Sequence, residues 1–174
     1  MAGDLFKGDQ GVNKIINLTD AVKISKKLKE ENKTIVVSGG CFDILHIGHV
    51  KFLQEAKKRG DVFFILLEND NTVRKLKGKN RPINPQGERA EVLAALSLVD
   101  YVVLLEDMNT NQDYDNLIYE LKPNIIATTK NDPQAVHNER QAKKINAKVS
   151  YVTNRIQNKS TTLLSKIIAE KLGR

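Results

Sequence analysis

Short runs of β-branched and aromatic residues alternate along this chain with longer stretches in which apolar residues recur every three or four positions. The first run that can be a buried strand is Thr34 to Ser38, and Gly39-Gly40 breaks it. Further strands are expected at Val62 to Leu67, Tyr101 to Leu105, Asn124 to Ala127 and Val149 to Val152. Helices are expected between them. One is capped by Thr19 or Asp20 and runs to about Glu31, with Ile24 and Leu28 turned inward. A second runs from about Gly48 to Arg59, placing Val50, Leu53 and Ala56 on one face. Asn71 to Leu76 is a short helix or turn, and residues 77–84 are a basic loop. Asn84 then caps a helix with Pro85 in its first position, running to about Leu98. Tyr114 to Leu121 and Pro133 to Ile145 follow, and Ser160 caps a last helix to Leu172. Residues 1–13 read as a flexible terminus, and 14–174 as one domain.

Strand–helix alternation with apolar strands predicts an α/β fold. It is a parallel sheet of about five strands, covered by helices on both faces. Ligands in such sheets bind beyond the carboxyl ends of the strands, where the strand order reverses. The residues that follow each strand are therefore the ones to examine.

After the first strand comes Gly40-Cys41-Phe42-Asp43-Ile44-Leu45-His46-Ile47-Gly48-His49. Glycines let backbone approach a ligand closely, and the following helix start offers free N–H groups to an anion. Two imidazoles three residues apart at such a site can both reach one phosphate. They can donate hydrogen bonds to charge that builds during in-line displacement. Gly48 spares the phosphate a crowding side chain. Cys41, His46 and His49 make a poor zinc set, being three ligands from one short segment without a fourth, so no protein metal site is assigned. Cys41 reads as a small packed hydrophobe, and Asp43 as a residue that can hold the loop together.

The second constellation is Arg74, Lys75, Lys77, Lys79 and Arg81, with Arg89 on the next helix. Glycine and proline interleave these residues, which predicts a loop that suits the phosphates of a leaving pyrophosphate. Alone, the same run also suits a solvated face or a nucleic-acid patch. The third is Arg155 followed by Lys159-Ser160-Thr161-Thr162, hydroxyls and bare amides at a helix start.

Composition narrows the classes. The formal net charge of +7 over 174 residues favours anionic partners without choosing among them. The apolar runs are far short of the roughly 20 residues a membrane helix needs. Met1 to Gly11 has no apolar stretch of the secretory kind, and a single cysteine excludes an intrachain disulfide, so a cytoplasmic protein is expected. No Walker-type lysine loop is present.

His46-Ile47-Gly48-His49, preceded by Gly40-Cys41-Phe42-Asp43 after a strand, resembles the HxGH signature of the cytidylyltransferase-like nucleotidyltransferases. Arg74 to Pro82, Glu88-Arg89-Ala90 and Val99 to Val103 are similar to the heptose 1-phosphate adenylyltransferases. Arg155 to Thr162 resembles the RTEGISTT motif of the glycerol-3-phosphate cytidylyltransferases. The resemblance implies a Rossmann-like domain and one in-line step at the α-phosphate of an NTP, with Mg²⁺ accompanying the nucleotide. It implies His46, His49, Lys75 and Lys77 as catalytic. It places Gly40, Cys41, Phe42, Asp43, Gly48, Arg155, Ser160 and Thr161 against the nucleotide, and Asp43, Arg81 and Arg89 against the acceptor. A homodimer is common among such proteins.

Two places depart from that pattern. Gly39 stands where the heptose enzymes usually carry asparagine, and Thr128 to Pro133 replaces their glycine-rich loop. The tryptophan motif of the cytidylyltransferases is also absent, since the chain has no tryptophan. The expectation is AMP transfer from ATP to a heptose 1-phosphate-like sugar phosphate. The alternatives are CTP with glycerol 3-phosphate or another small alcohol phosphate, an FMN adenylyltransferase, or an inactive nucleotide- or RNA-binding module. The few aromatics, 5% of residues, argue against nucleic acid.

Overall fold

The structure is a computed structural model that describes residues 13–154 and Glu170. In chain order the elements are β1 (Ile15–Ile16), α1 (Leu18–Glu30), β2 (Ile35–Gly40), α2 (Ile47–Lys57), β3 (Val62–Leu67) and α3 (Asp70–Lys77). They continue with α4 (Gln86–Ala94), β4 (Tyr101–Leu104), α5 (Asn111–Leu121), β5 (Ile125–Lys130), α6 (Ala135–Ile145) and β6 (Lys148–Asn154). The six strands form one sheet in the order β1-β4-β3-β2-β5-β6, and every pairing is parallel. From β2 the chain moves outward through β3 and β4, then returns to β5 on the other side. The strand order therefore reverses beside β2, and the loop that follows β2 opens into the resulting crevice.

Side-chain alternation along the central strands divides the core in two. Val36, Phe63, Ile65, Leu67 and Val102 point to one face, where Phe52, Leu53 and Ala56 of α2 and Ala90 and Leu93 of α4 cover them. Ile35, Val37, Phe64, Leu66 and Val103 point to the other, against Ala21 of α1, Leu117, Ile118 and Leu121 of α5 and Ala142 of α6. Both faces are covered, which is why β3 reads as the unbroken apolar run Val62 to Leu67.

The sheet has one strand more than the five expected. Ile15–Ile16 pairs with Val102 and Val103 at the edge, too short a run to stand out by periodicity. Caps account for most shifted helix ends. Asn17, not Thr19 or Asp20, caps α1 by accepting from the Asp20 N–H at 2.9 Å. Thr110 and Asp113 form a capping box that starts α5 at Asn111, three residues before the expected Tyr114. Helix α4 ends at Ala94 rather than Leu98, and Pro85 is its cap because Asn84 is engaged elsewhere. Helix α6 begins at Ala135, two residues after Pro133. The helix expected from Ser160 lies outside the described residues. Among the described residues no helix is long and apolar enough to cross a membrane.

Candidate active site

The loop after β2 is shaped by two backbone requirements. Phe42 adopts φ 43°, a left-handed conformation that costs a bulky L-residue roughly 1–2 kcal/mol. Its ring is buried in the core beside α2, and burial of an aromatic side chain is large enough to offset that cost. The ring lies over Gly40: a Cβ there would stand 2.7 Å from Phe42 Cε2. Gly40 and Phe42 together turn the chain sharply at the end of the strand.

The turn delivers His46 as the N-cap of α2, in extended conformation. Its Nδ1 accepts the Gly48 backbone N–H at 3.1 Å, so the proton of the neutral ring sits on Nε2. His49, one turn on, stacks against it with ring centroids 3.9 Å apart and 27° between planes, and Phe42 closes the other side at 5.3 Å. Burial, and then the neighbouring His46, lower the pKa of His49 from 6.5 to about 4. His49 is thus a neutral imidazole near pH 7, and its Nδ1 is buried with no hydrogen-bond partner among the described residues. No acidic residue occupies the first turn of α2, so the helix start keeps its attraction for an anion.

Asp43 organises the segment after α3. Its carboxylate accepts from the backbone N–H groups of Ile83 at 2.8 Å and Asn84 at 3.0 Å, and it is paired with Arg81 Nε. Asn84 Nδ2 returns a bond to the Asp43 carbonyl at 2.8 Å. Asp43 and Arg81 are both nearly buried, so this pair fixes the loop.

Arg89 corrects an expectation. It was expected against the acceptor, but it is 1% exposed and serves as an internal strut. Its guanidinium donates to the carbonyls of Asn84 (2.9 Å), Cys41 (2.6 Å) and Glu68 (2.9 Å), and to Asp70 Oδ1 (2.7 Å). It therefore ties together the segments after β2 and β3, the start of α3 and the start of α4. Arg81 likewise faces Asp43 rather than open solvent.

Three of the basic residues are on a helix rather than a loop. Arg74, Lys75 and Lys77 occupy the last turn of α3, and the loop begins at Gly78, whose φ of 101° suits glycine. Basic residues there oppose the negative end of the helix dipole, which explains why the helix runs on to Lys77. Lys75 donates to Asn109 Oδ1 at 2.9 Å. Asp107 accepts from Asn69 at 2.8 Å and Asn71 at 3.0 Å, and these bonds hold its carboxyl below the usual range. The loop after β4 thus clasps the helix that presents the lysines. Lys77 lies close enough to Cys41 to favour its thiolate, although burial dominates and pushes that thiol up.

Arg155, Ser160 and Thr161 lie outside the described residues. The strand that leads to them borders an open cavity of about 450 Å³, lined by Lys51 of α2, Lys130 of β5 and Tyr151 to Asn154 of β6. Among the described residues, no group of three His, Cys, Asp or Glu is arranged to hold a metal ion. One residue of the edge was not singled out from the sequence. Glu68 directly follows β3, 8% exposed, with both carboxyl oxygens 3.1 Å from the Tyr114 hydroxyl. Its signal was a carboxylate directly after six apolar residues.

Residues 37–168 match the family described as cytidylyltransferase-like. A "Bifunctional protein HldE" of Nitratiruptor sp. is 52% identical over 103 residues, covering 59% of this chain and 21% of that protein. The protein of the same name from Geobacter metallireducens is 38% identical over 164 residues, covering 94% of this chain and 33% of that protein. The chain thus spans a third or less of these relatives' length. Among solved structures, a lipopolysaccharide core biosynthesis protein from Thermoplasma volcanium is similar with a TM-score of 0.57. The two share 26% identity over 74% of this chain and 99% of that one.

Proposed function

The chain belongs to the cytidylyltransferase-like family of nucleotidyltransferases, and from that premise we propose that it transfers AMP from ATP to a sugar 1-phosphate, with a heptose 1-phosphate as the acceptor. The observation that carries this reading is the stacked pair of His46 and His49 at the start of α2, next to a helix end free of acidic residues.

In the proposed reaction an acceptor phosphate oxygen attacks the α-phosphorus of ATP. The new P–O bond forms as the bond to pyrophosphate breaks, with no covalent enzyme intermediate. His46, with its proton on Nε2, donates to the phosphate. His49, a neutral imidazole, has one N–H to donate, and it is assigned the same task on the charge that builds in flight. Lys75 and Lys77 neutralise phosphate charge from α3. Gly40, Cys41, Phe42, Asp43 and Gly48 form the floor, and Arg155, Ser160 and Thr161 are assigned to the nucleotide. The cavity between α2 and the ends of β5 and β6 leaves room for the nucleoside. Mg²⁺ bound to the ATP substrate would neutralise phosphate charge there, and no side chain of this chain is assigned to hold it.

The heptose assignment rests on the resemblance of Arg74 to Pro82 and Val99 to Val103 to the heptose 1-phosphate adenylyltransferases. A second reading, CTP with glycerol 3-phosphate, draws on the spacing of Arg155 to Thr162. The test is pyrophosphate release with Mg²⁺, crossing ATP, CTP, GTP and UTP against sugar 1-phosphates, polyol phosphates and FMN. Turnover with ATP and heptose 1-phosphate is expected. Turnover confined to CTP and a polyol phosphate would overturn the first reading in favour of the second.

A further inference from the structure

Glu68 is a nearly buried carboxyl that the proposed phosphate chemistry does not use. Its main chain is fixed at both ends: its N–H donates to the Gly40 carbonyl at 3.1 Å, and its own carbonyl accepts from Arg89 at 2.9 Å. The side chain is thereby held at the carboxyl edge of the sheet, beside the loop that carries the histidines. There, among the described residues, it meets one donor, the Tyr114 hydroxyl on α5. No lysine or arginine among the described residues forms an ion pair with it, because Arg89 spends its bonds on three carbonyls and Asp70.

That arrangement is under-satisfied. A carboxylate offers about four acceptor positions, and one phenol supplies one proton. A buried carboxylate left with so little costs free energy, and burial accordingly raises the pKa of Glu68 from 4.5 to about 7. A tether between β3 and α5 needs no ionisable group, since a glutamine would serve Tyr114 as well. Cys41 feels the charge of both Glu68 and Lys77, so the three share one neighbourhood. Topology sets that neighbourhood apart from the nucleotide segment. Glu68 and Tyr114 follow β3 and β4 on one side of β2, whereas β5 and β6, which border the cavity assigned to the nucleoside, lie on the other.

We propose that Glu68, oriented by Tyr114, is a specificity-determining residue of the acceptor site, its carboxylate accepting hydrogen bonds from hydroxyls on adjacent carbons of a polyhydroxylated acceptor. The inference rests on the proposed sugar-phosphate reading and deepens it. Two neighbouring hydroxyls match the two oxygens of one carboxylate, and Tyr114 keeps the carboxyl plane from turning away. The phosphate end of the same acceptor then extends toward Lys77 and the histidines.

The test uses the full chain with Mg·ATP and heptose 1-phosphate, comparing wild type, Glu68→Gln and Tyr114→Phe. Glu68→Gln should raise the acceptor KM at least about tenfold, the effect of losing hydrogen bonds to a charged group. The KM for ATP should stay within about twofold, and the melting temperature should hold or rise, since a costly buried carboxyl is removed. Tyr114→Phe should raise the acceptor KM by a smaller factor. An unchanged acceptor KM in Glu68→Gln, with wild type active, would overturn this inference alone. So would KM values for ATP and acceptor that rise together as the melting temperature falls, the mark of a purely structural tether. A wild type inert toward heptose 1-phosphate would overturn the reaction reading and this inference with it.

Discussion

Replacing Arg89 by methionine separates a strut from a substrate contact. Methionine fills much of the same volume without a single donor. The substitution strands three carbonyls, that of Glu68 buried and those of Cys41 and Asn84 partly buried, and frees the Asp70 carboxylate, whose side chain is 32% exposed and can rehydrate. Each stranded carbonyl costs about 1–3 kcal/mol. Relief from burying a guanidinium returns part of this. The net expectation is a loss of about 3–5 kcal/mol. For a chain of this size, each kcal/mol lowers the melting temperature by about 2–4 °C, so a fall of roughly 6–20 °C is expected. Thermal and urea unfolding followed by circular dichroism measure it. A melting temperature within about 2 °C of wild type, together with a raised acceptor KM, would refute the strut and return Arg89 to the acceptor.

Two further outcomes are expected. Because His49 has its pKa lowered from 6.5 to about 4, the unfolded chain binds more protons between those values. His49 should therefore add stability as pH rises from 4 to 6.5, by at most about 3 kcal/mol, and lose it as pH falls. Glu68, raised from 4.5 to about 7, acts in the opposite sense, its contribution fading as pH rises across that window. Urea unfolding of His49→Gln at pH 4.5 and pH 7 should thus show a variant that is relatively more stable at the lower pH than wild type; identical pH dependence in the two would contradict the assignment. Gly40→Ala should cost about 1–3 kcal/mol, because the new Cβ meets the buried Phe42 ring at 2.7 Å, and unchanged unfolding would show that the ring yields freely.

The fold was largely legible because both faces of the sheet are covered. That burial leaves Ile35 to Val37, Val62 to Leu67 and Tyr101 to Leu104 as apolar runs with clear ends. The edge strand Ile15–Ile16 was not legible, since two residues carry no period. The loop proposed to bind phosphate is marked in the sequence by the glycines and histidines after β2, a local signal. Local spacing could not separate an arginine that faces a ligand from one that turns inward. Arg89 and Arg81 read like the neighbouring lysines, and only the carbonyls of Cys41 and Glu68 and the carboxylate of Asp43, up to 48 residues away in sequence, decide their place. Likewise, Lys77 reads as a loop residue because Gly78 and Pro82 follow closely, while the Asn69 cap that starts α3 lies ahead of it.

The His46–His49 pair at the start of α2 is proposed to stabilise nucleotidyl transfer to a sugar phosphate. The most direct measurement is the rate of pyrophosphate release from Mg·ATP and heptose 1-phosphate by wild type, His46→Ala and His49→Ala, with ATP binding measured in parallel. Steady turnover by wild type is expected, with kcat lowered about 10²–10³-fold in each variant and ATP binding largely kept. Wild-type rates in both variants would contradict the account.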